Sequence, residues 1–242
     1  MDLILTRMKT ALDIEKINEQ HATTGVEEFL RYILDTFGDR VALASSLGLE
    51  DQLLTDLVLR LRPGTRVFTL DTGRLFPETY RLIDRTNKRY GIKIDLFFPD
   101  HALVQEMVRA EGINLFYDSV EKRQRCCQTR KLEPLRRAFT GLEAWICGLR
   151  REQSVTRQET RRVERDEANG LYKFNPLINW SEEEVRAYIV EHEVPYNTLH
   201  DAGYPSIGCE PCTRAVAPGE DPRAGRWWWE SPLHKECGLH RR

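Results

Sequence analysis

Four short apolar runs recur along the chain with helical patterning between them: Val41-Ala42-Leu43-Ala44, Val67-Phe68-Thr69-Leu70, Ile94-Asp95-Leu96-Phe97-Phe98 and Ala144-Trp145-Ile146-Cys147. Strands separated by helices have few ways to bury their side chains. They line up in parallel, and the helices cover both faces of the sheet. The patterning predicts a helix over 12–37, ending near Gly38, and an amphipathic helix with Leu53, Leu54, Leu57 and Val58 on one side. Further helices are predicted over 77–90 with Gly91 as the stop, then over 102–111, 128–139 and 181–191. The last opens on Ser-Glu-Glu-Glu, an acid-rich first turn suited to the positive end of a helix dipole. From Val194 onward Gly and Pro are frequent and periodicity fades. The expectation is one α/β domain over 1–242, a doubly wound, mostly parallel sheet with a cysteine-bearing C-terminal extension. Within it, about 1–37 is helical, about 38–193 is the α/β core and about 194–242 is the extension.

A chain of 242 residues buries roughly 70–75% of its extended surface and needs no disulfides to hold a core. Its longest uncharged stretch, residues 41–49, is nine positions, far short of the roughly 20 that a membrane helix needs. The start, Met-Asp-Leu-Ile-Leu-Thr-Arg, does not resemble a secretory signal. A cytoplasmic protein without a membrane partner is expected. The net charge of -2 gives no field for nucleic acid. The charge is uneven, however: residues 121–165 hold thirteen Lys and Arg against six Asp and Glu. That block suits either a small anionic ligand or a solvated helix face.

Chemistry concentrates where strands hand over to helices. Ser45-Ser46-Leu47-Gly48-Leu49-Glu50-Asp51 follows the first strand, where free helix N–H groups and serine hydroxyls make either an anion site or an ordinary cap. It lacks the lysine of a Walker loop and the spacing of a dinucleotide fingerprint. Leu70-Asp71-Thr72-Gly73-Arg74 and Cys147-Gly148-Leu149-Arg150-Arg151 end the second and fourth strands. In an open α/β sheet these ends share one crevice. Together they favour a nucleotide-like ligand.

The six cysteines stand at 126, 127, 147, 209, 212 and 237. In a reducing compartment they are thiols, metal ligands or nucleophiles. Cys126-Cys127 and Cys209-Glu210-Pro211-Cys212 supply four thiolates, for which zinc and an iron–sulfur cluster are the physical options. Adjacent cysteines diverge in direction and suit the separate ligand points of a cluster. Unrelated buried thiols with one redox-active C-x-x-C remain an alternative. Cys147, inside an apolar strand, reads as a small core residue. Cys237, beside Lys235 and near His240, is either an incidental tail cysteine or a nucleophile whose thiolate its cationic neighbours favour.

Four segments, Cys126-Cys127-Gln128-Thr129-Arg130-Lys131, Cys209-Glu210-Pro211-Cys212-Thr213-Arg214, Arg226-Trp227-Trp228-Trp229-Glu230 and Glu236-Cys237-Gly238-Leu239-His240, together resemble the assimilatory adenylyl-sulfate (APS) reductases. These form the iron–sulfur-containing branch of the sulfonucleotide (APS/PAPS) reductases, whose fold is similar to that of the adenine-nucleotide α-hydrolases. The likeness runs in order from Ser45 to His240. It implies one [4Fe–4S] cluster on Cys126, Cys127, Cys209 and Cys212, with Cys237 as the nucleophile. Cys237 would take the sulfo group from APS, release AMP, and be discharged by reduced thioredoxin or a similar dithiol. It implies phosphosulfate contacts from Lys131, Arg157, Arg223, Arg226 and His240. Backbone groups of Leu70 and Gly148 would face adenine, and Ser45, Ser46, Thr72 and Gly73 would line the pocket. The cationic surroundings of the phosphosulfate would account for the basic block. The first turn, Ser-Ser-Leu-Gly-Leu-Glu-Asp, departs from a family pattern that often has Gly, Phe or Ala near its middle. A homo-oligomer is compatible with the likeness. A PAPS or dual-substrate reductase, a tRNA-modifying enzyme of the same fold and a zinc-stabilised nucleotide-binding module are the alternatives. Trp227-Trp228-Trp229 is expected to be extended, with rings alternating between packing and partial exposure.

Overall fold

The computed structural model describes residues 12–154 and 157–231. Six strands form one sheet: β1 (Val41–Ala44), β2 (Arg66–Leu70), β3 (Asp95–Phe97), β4 (Ala144–Ile146), β5 (Val163–Asp166) and β6 (Leu171–Phe174). Their order is β3-β2-β1-β4-β6-β5. All neighbours run parallel except the β5–β6 pair at the edge. Order therefore reverses between β1 and β4, and the crevice of such a sheet opens at their carboxyl ends.

Alternation along each strand divides the interior in two. Val41 and Leu43, Val67, Ala144 and Ile146, and Phe174 bury one face against α2 (Val26–Phe37), α3 (Leu49–Leu61), α4 (Pro77–Tyr90) and α8 (Glu182–Glu191). Ala42, Phe68 and Trp145 bury the other face against Leu135, Ala138 and Phe139, on or beside α7 (Glu133–Ala138). A third apolar cluster, Met107, Leu115, Phe116, Cys126, Cys212 and Trp227, lies under the cysteine segments.

Several local expectations hold closely. Helix α4 runs from Pro77 to Tyr90, and Gly91 ends it in the left-handed conformation at φ 63°. Ser181 caps α8, accepting from the Glu184 N–H while the Glu184 carboxylate accepts from the Ser181 N–H. α5 spans His101–Glu111.

Others are corrected. The segment predicted as one helix over 12–37 is two, α1 (Ile14–Gln20) and α2, parted by a turn over 21–24 after the C-cap His21, with Gly25 as the N-cap of α2. α3 is buried nearly all round instead of on one side, since α2, α8 and the sheet enclose it. Of its inner polar groups, the Gln52 amide nitrogen donates to Thr86 Oγ1 at 2.8 Å and to the Pro195 carbonyl at 2.7 Å. The β5–β6 hairpin is an addition at the sheet edge. The helix predicted over 128–139 begins earlier, as α6 (Val120–Cys127), and continues through a widened turn, Gln128–Leu132, into α7. In that turn the Glu133 N–H reaches back five residues to the Gln128 carbonyl. Pro134 has no N–H to offer the Arg130 carbonyl, so ordinary helical bonding fails there. Trp227 lies in a turn at φ 42° and not in an extended strand. No helix among the described residues is long and apolar enough to cross a membrane.

Candidate functional site

A cleft of about 420 Å³ opens at the carboxyl ends of β1, β2 and β4. Of the residues singled out from the sequence, Ser45, Ser46, Leu70, Thr72, Lys131, Gly148, Arg157, Arg223 and Arg226 line it. Gly73 is not on its wall; it turns at φ 71°, and a side chain there would meet the Arg130 guanidinium. Cys237 and His240 lie outside the described residues.

Asp51, to which the sequence reading gave no role, organises the reversal point. Its carboxylate accepts from the Ser46 N–H and Oγ, both at 2.6 Å, and from the Gly148 N–H at 3.0 Å. One side chain thus ties the turn after β1 to the end of β4. The Gly148 N–H is committed to Asp51, which leaves the Gly148 carbonyl as the backbone group for a ligand. Desolvation dominates the acid and pushes its pKa up to about 6, against the hydrogen bonds from Ser46 and Gly148. In the sequence, nothing separates Asp51 from an ordinary first-turn acid. Gly48, the N-cap of α3, supplies no side-chain cap, and Gly48, Leu49, Glu50 and Asp51 line the cleft, so the start of α3 stands at its wall.

Charge in the cleft is segregated. Arg150 is held by Glu50 at 2.7 Å and Glu152 at 3.3 Å. Lys131, Arg157, Arg223 and Arg226 also line the walls. Arg226 is aimed by Ser206 Oγ at 3.2 Å and the Ile207 carbonyl at 3.3 Å, and its guanidinium lies 4.8 Å from the Trp227 ring centre. Gly208 makes that placement possible, because a Cβ there would stand 2.2 Å from Arg226 Nη2. The basic block contributes less than expected. Only Lys131, Arg150 and Arg157 of its thirteen cations reach the cleft. Lys122, Arg125, Arg137 and Arg161 pair with surface carboxylates instead.

Behind the cationic wall lies a smaller chamber lined by Cys126, Cys127, Cys209 and Cys212. Thr72, Lys131, Arg226 and Trp227 line both spaces and so form the partition. The cysteines come from two elements. α6 ends on Cys126 and Cys127, and the C-x-x-C loop is laced in place on both sides. On one side the Glu210 N–H donates to the Arg74 carbonyl at 2.9 Å, and Leu75 bridges Cys209. On the other the Trp227 N–H donates to the Cys212 carbonyl at 3.1 Å. Cys209 Sγ stands 3.2 Å from Thr72 Oγ1. Burial pushes up the pKa of Cys126 and Cys212, the latter to about 12; Arg130 and Lys131 oppose it. Among the described residues no three Cys, His, Asp or Glu side chains stand in the geometry of a single bound ion. Cys147 sits apart, buried, its Sγ donating to Asn175 Oδ1 at 3.1 Å, as a core residue would.

Sequence reasoning also missed what anchors the tryptophan segment. Arg123 and Glu230, 2% and 3% exposed, pair through two bonds of 2.9 and 2.8 Å, and Arg123 lies 4.7 Å from the Trp227 ring centre. Trp227 is buried while Trp228 is exposed.

Comparison with known proteins accords with this geometry. Residues 40–215 match the family model of the phosphoadenosine phosphosulfate reductase domain. An adenosine 5′-phosphosulfate reductase of Allochromatium vinosum is 57% identical over 84% of this chain and 80% of its own length. A phosphoadenylyl-sulfate reductase structure from Candida auris, a phosphate complex, superposes with a TM-score of 0.73 at 29% identity, covering 86% of this chain and 99% of that one. An FMN adenylyltransferase of Candida glabrata, 14% identical with a TM-score of 0.55 over 89% of this chain and 75% of its own, shares the fold alone. The mostly parallel α/β sheet is the fold class expected above. The chain belongs to the phosphoadenosine phosphosulfate reductase domain family, the sulfonucleotide reductases, and is an oxidoreductase.

Proposed function

We propose that the chain reduces adenylyl sulfate to sulfite and AMP in sulfate assimilation. The observation that carries this reading is the shared partition: cations that line a nucleotide-sized cleft also line a chamber of four cysteines. The name borne by the Allochromatium relative supports APS over its 3′-phosphorylated form.

In this mechanism the Cys237 thiolate attacks the sulfur of APS. The bond from sulfur to the bridging phosphate oxygen breaks, AMP leaves with that electron pair, and Cys237 carries a thiosulfonate. A thiolate of reduced thioredoxin then attacks Cys237 Sγ and expels sulfite. The second thioredoxin thiol resolves the mixed disulfide, so the dithiol supplies both electrons and Cys237 returns as thiolate. The obstacle is an anion approaching an anion. Lys131, Arg157, Arg223 and Arg226 offset it by neutralising the phosphosulfate, a service worth most in a cleft that excludes water. His240 belongs to the same contact set.

The donor set of the chamber fits an iron–sulfur cluster. Four cysteines line one small space, burial raises the pKa of Cys126 and Cys212, and cations on the walls would balance a tetrathiolate. Cys126, Cys127, Cys209 and Cys212 would hold a [4Fe–4S] group, which supplies fixed charge and cross-linking beside the cationic wall.

Incubation with sulfur-labelled APS without any dithiol tests the proposal. Label on Cys237, released as sulfite by reduced thioredoxin, is expected, with APS outcompeting PAPS. Label that never reaches Cys237 refutes the mechanism. A colourless protein that binds zinc and lacks iron and sulfide refutes the cluster.

A further inference from the structure

One buried side chain in the cleft has no role in the chemistry above. His200 lies in the tight turn Thr198–Ala202, fixed from behind: its N–H donates to the Asn197 carbonyl at 3.1 Å, and Asn197 Nδ2 donates to Thr79 Oγ1 at 3.1 Å. The residue is 8% exposed and lines the cleft. Among the described residues neither Nδ1 nor Nε2 makes a hydrogen bond of good geometry, although the Tyr204 backbone approaches the ring. An unmet buried polar group costs roughly 1–3 kcal/mol, and folded proteins keep few of them. The turn fixes the backbone of His200, and a buried ring with no well-formed hydrogen bond on either nitrogen suits something that enters the cleft.

The surroundings decide what enters. Burial lowers the pKa of His200; Glu50, Glu182 and the Tyr204 backbone oppose this, and Arg186 adds to it. An uncharged imidazole offers one donor and one acceptor. A sugar hydroxyl matches that pair, since it both accepts and donates. A phosphate or sulfate oxygen offers only acceptors and matches just one of the two, and Glu50 and Glu182 lie near enough to His200 to act on its charge. Anionic groups belong at Lys131, Arg157, Arg223 and Arg226.

We propose that His200 forms the ribose contact of the cleft, its imidazole donating to one nucleotide hydroxyl and accepting from the other. This rests on the reading that the cleft holds an adenosine nucleotide. It assigns the ribose hydroxyls to the part of the cleft that Glu50 and Glu182 flank.

Calorimetric titration of the holoenzyme with AMP, 2′-deoxy-AMP and 3′-deoxy-AMP tests it, using the native chain, His200→Ala and His200→Gln. His200→Ala should lose about tenfold in AMP affinity. For at least one deoxynucleotide, already weakened in the native chain, the further loss should be under about twofold. His200→Gln, which keeps a donor and an acceptor, should recover part of the AMP affinity. An equal loss for all three nucleotides, or unchanged AMP affinity in His200→Ala, overturns the ribose contact. A native chain that binds no AMP overturns the nucleotide reading itself, a distinguishable result.

Discussion

The approach of α3 to the end of β4 sets the width of the cleft floor, and Gly148→Ala perturbs it at one atom. A Cβ at 148 would stand 2.6 Å from Asp51 Oδ1, 2.7 Å from Glu50 Cβ and 3.1 Å from the Asp51 nitrogen. Ordinary contact begins at 3.4 Å, so the two elements must part by roughly 0.7 Å. The backbone at 148 is not left-handed, so crowding alone makes the effect. Overpacking of this kind costs about 1–3 kcal/mol. Weakening the bond from the Gly148 N–H to Asp51 adds about 1 kcal/mol. A total of about 2–4 kcal/mol lowers the Tm of a chain this size by roughly 4–16 °C. Because the displaced groups also hold Ser46 and the Gly148 carbonyl, AMP affinity should fall by at least about tenfold. Differential scanning calorimetry and titration with AMP measure the two effects. Gly25→Ala is the control: nothing stands within 4 Å of its Cβ and it is not on the cleft wall, so AMP affinity should stay near native. If Gly148→Ala keeps the native Tm and AMP affinity, the Asp51 bridge does not shape the site.

Glu230→Gln leaves Arg123 buried without its counter-charge and should cost about 3–5 kcal/mol in urea unfolding, while an apolar replacement of both partners recovers most of it; a single-variant loss under 1 kcal/mol would show that the pair is idle. Burial holds the Asp51 carboxyl at about 6 against 3.8, so its contribution to stability is present below about pH 4 and lost as pH rises through 6. Relative to the native chain, Asp51→Asn should therefore gain up to about 3 kcal/mol between those limits, and a difference independent of pH contradicts the assignment. Cys237→Ser should abolish sulfite release while AMP binding and the iron and sulfide content stay native; continued turnover removes Cys237 from the mechanism. Cys209→Ser should lose iron, sulfide and activity together, and an active iron-free variant makes the cysteine chamber dispensable.

How legible the molecule was depends on where each signal lives. Strands β1, β2, β3 and β4 and helix α4 could be read because apolar runs, Pro77 and Gly91 act through local backbone preference. The β5–β6 hairpin escaped although Asn169-Gly170 sits at its turn, because its outer strand carries Glu164, Arg165 and Asp166 and offers no apolar run. The widened turn after Cys127 was illegible for a different reason: Pro134 predicts disrupted bonding but not whether the helix stops or expands. The same division runs through the site. The cysteine pairs and cleft-lining serines were visible because their residue types are rare or placed at strand ends. Asp51, His200 and the Arg123–Glu230 pair were not, since each acts across a distance the sequence does not encode. Asp51 bonds Gly148 across 97 positions, and Arg123 meets Glu230 across 107. A first-turn acid, a loop histidine and a helix arginine look ordinary until the sheet order brings their partners to them. The chemistry-bearing groups are thus written in local composition. The groups that aim them are written in topology, and substitutions at the second kind should alter affinity and stability before they alter the reaction itself.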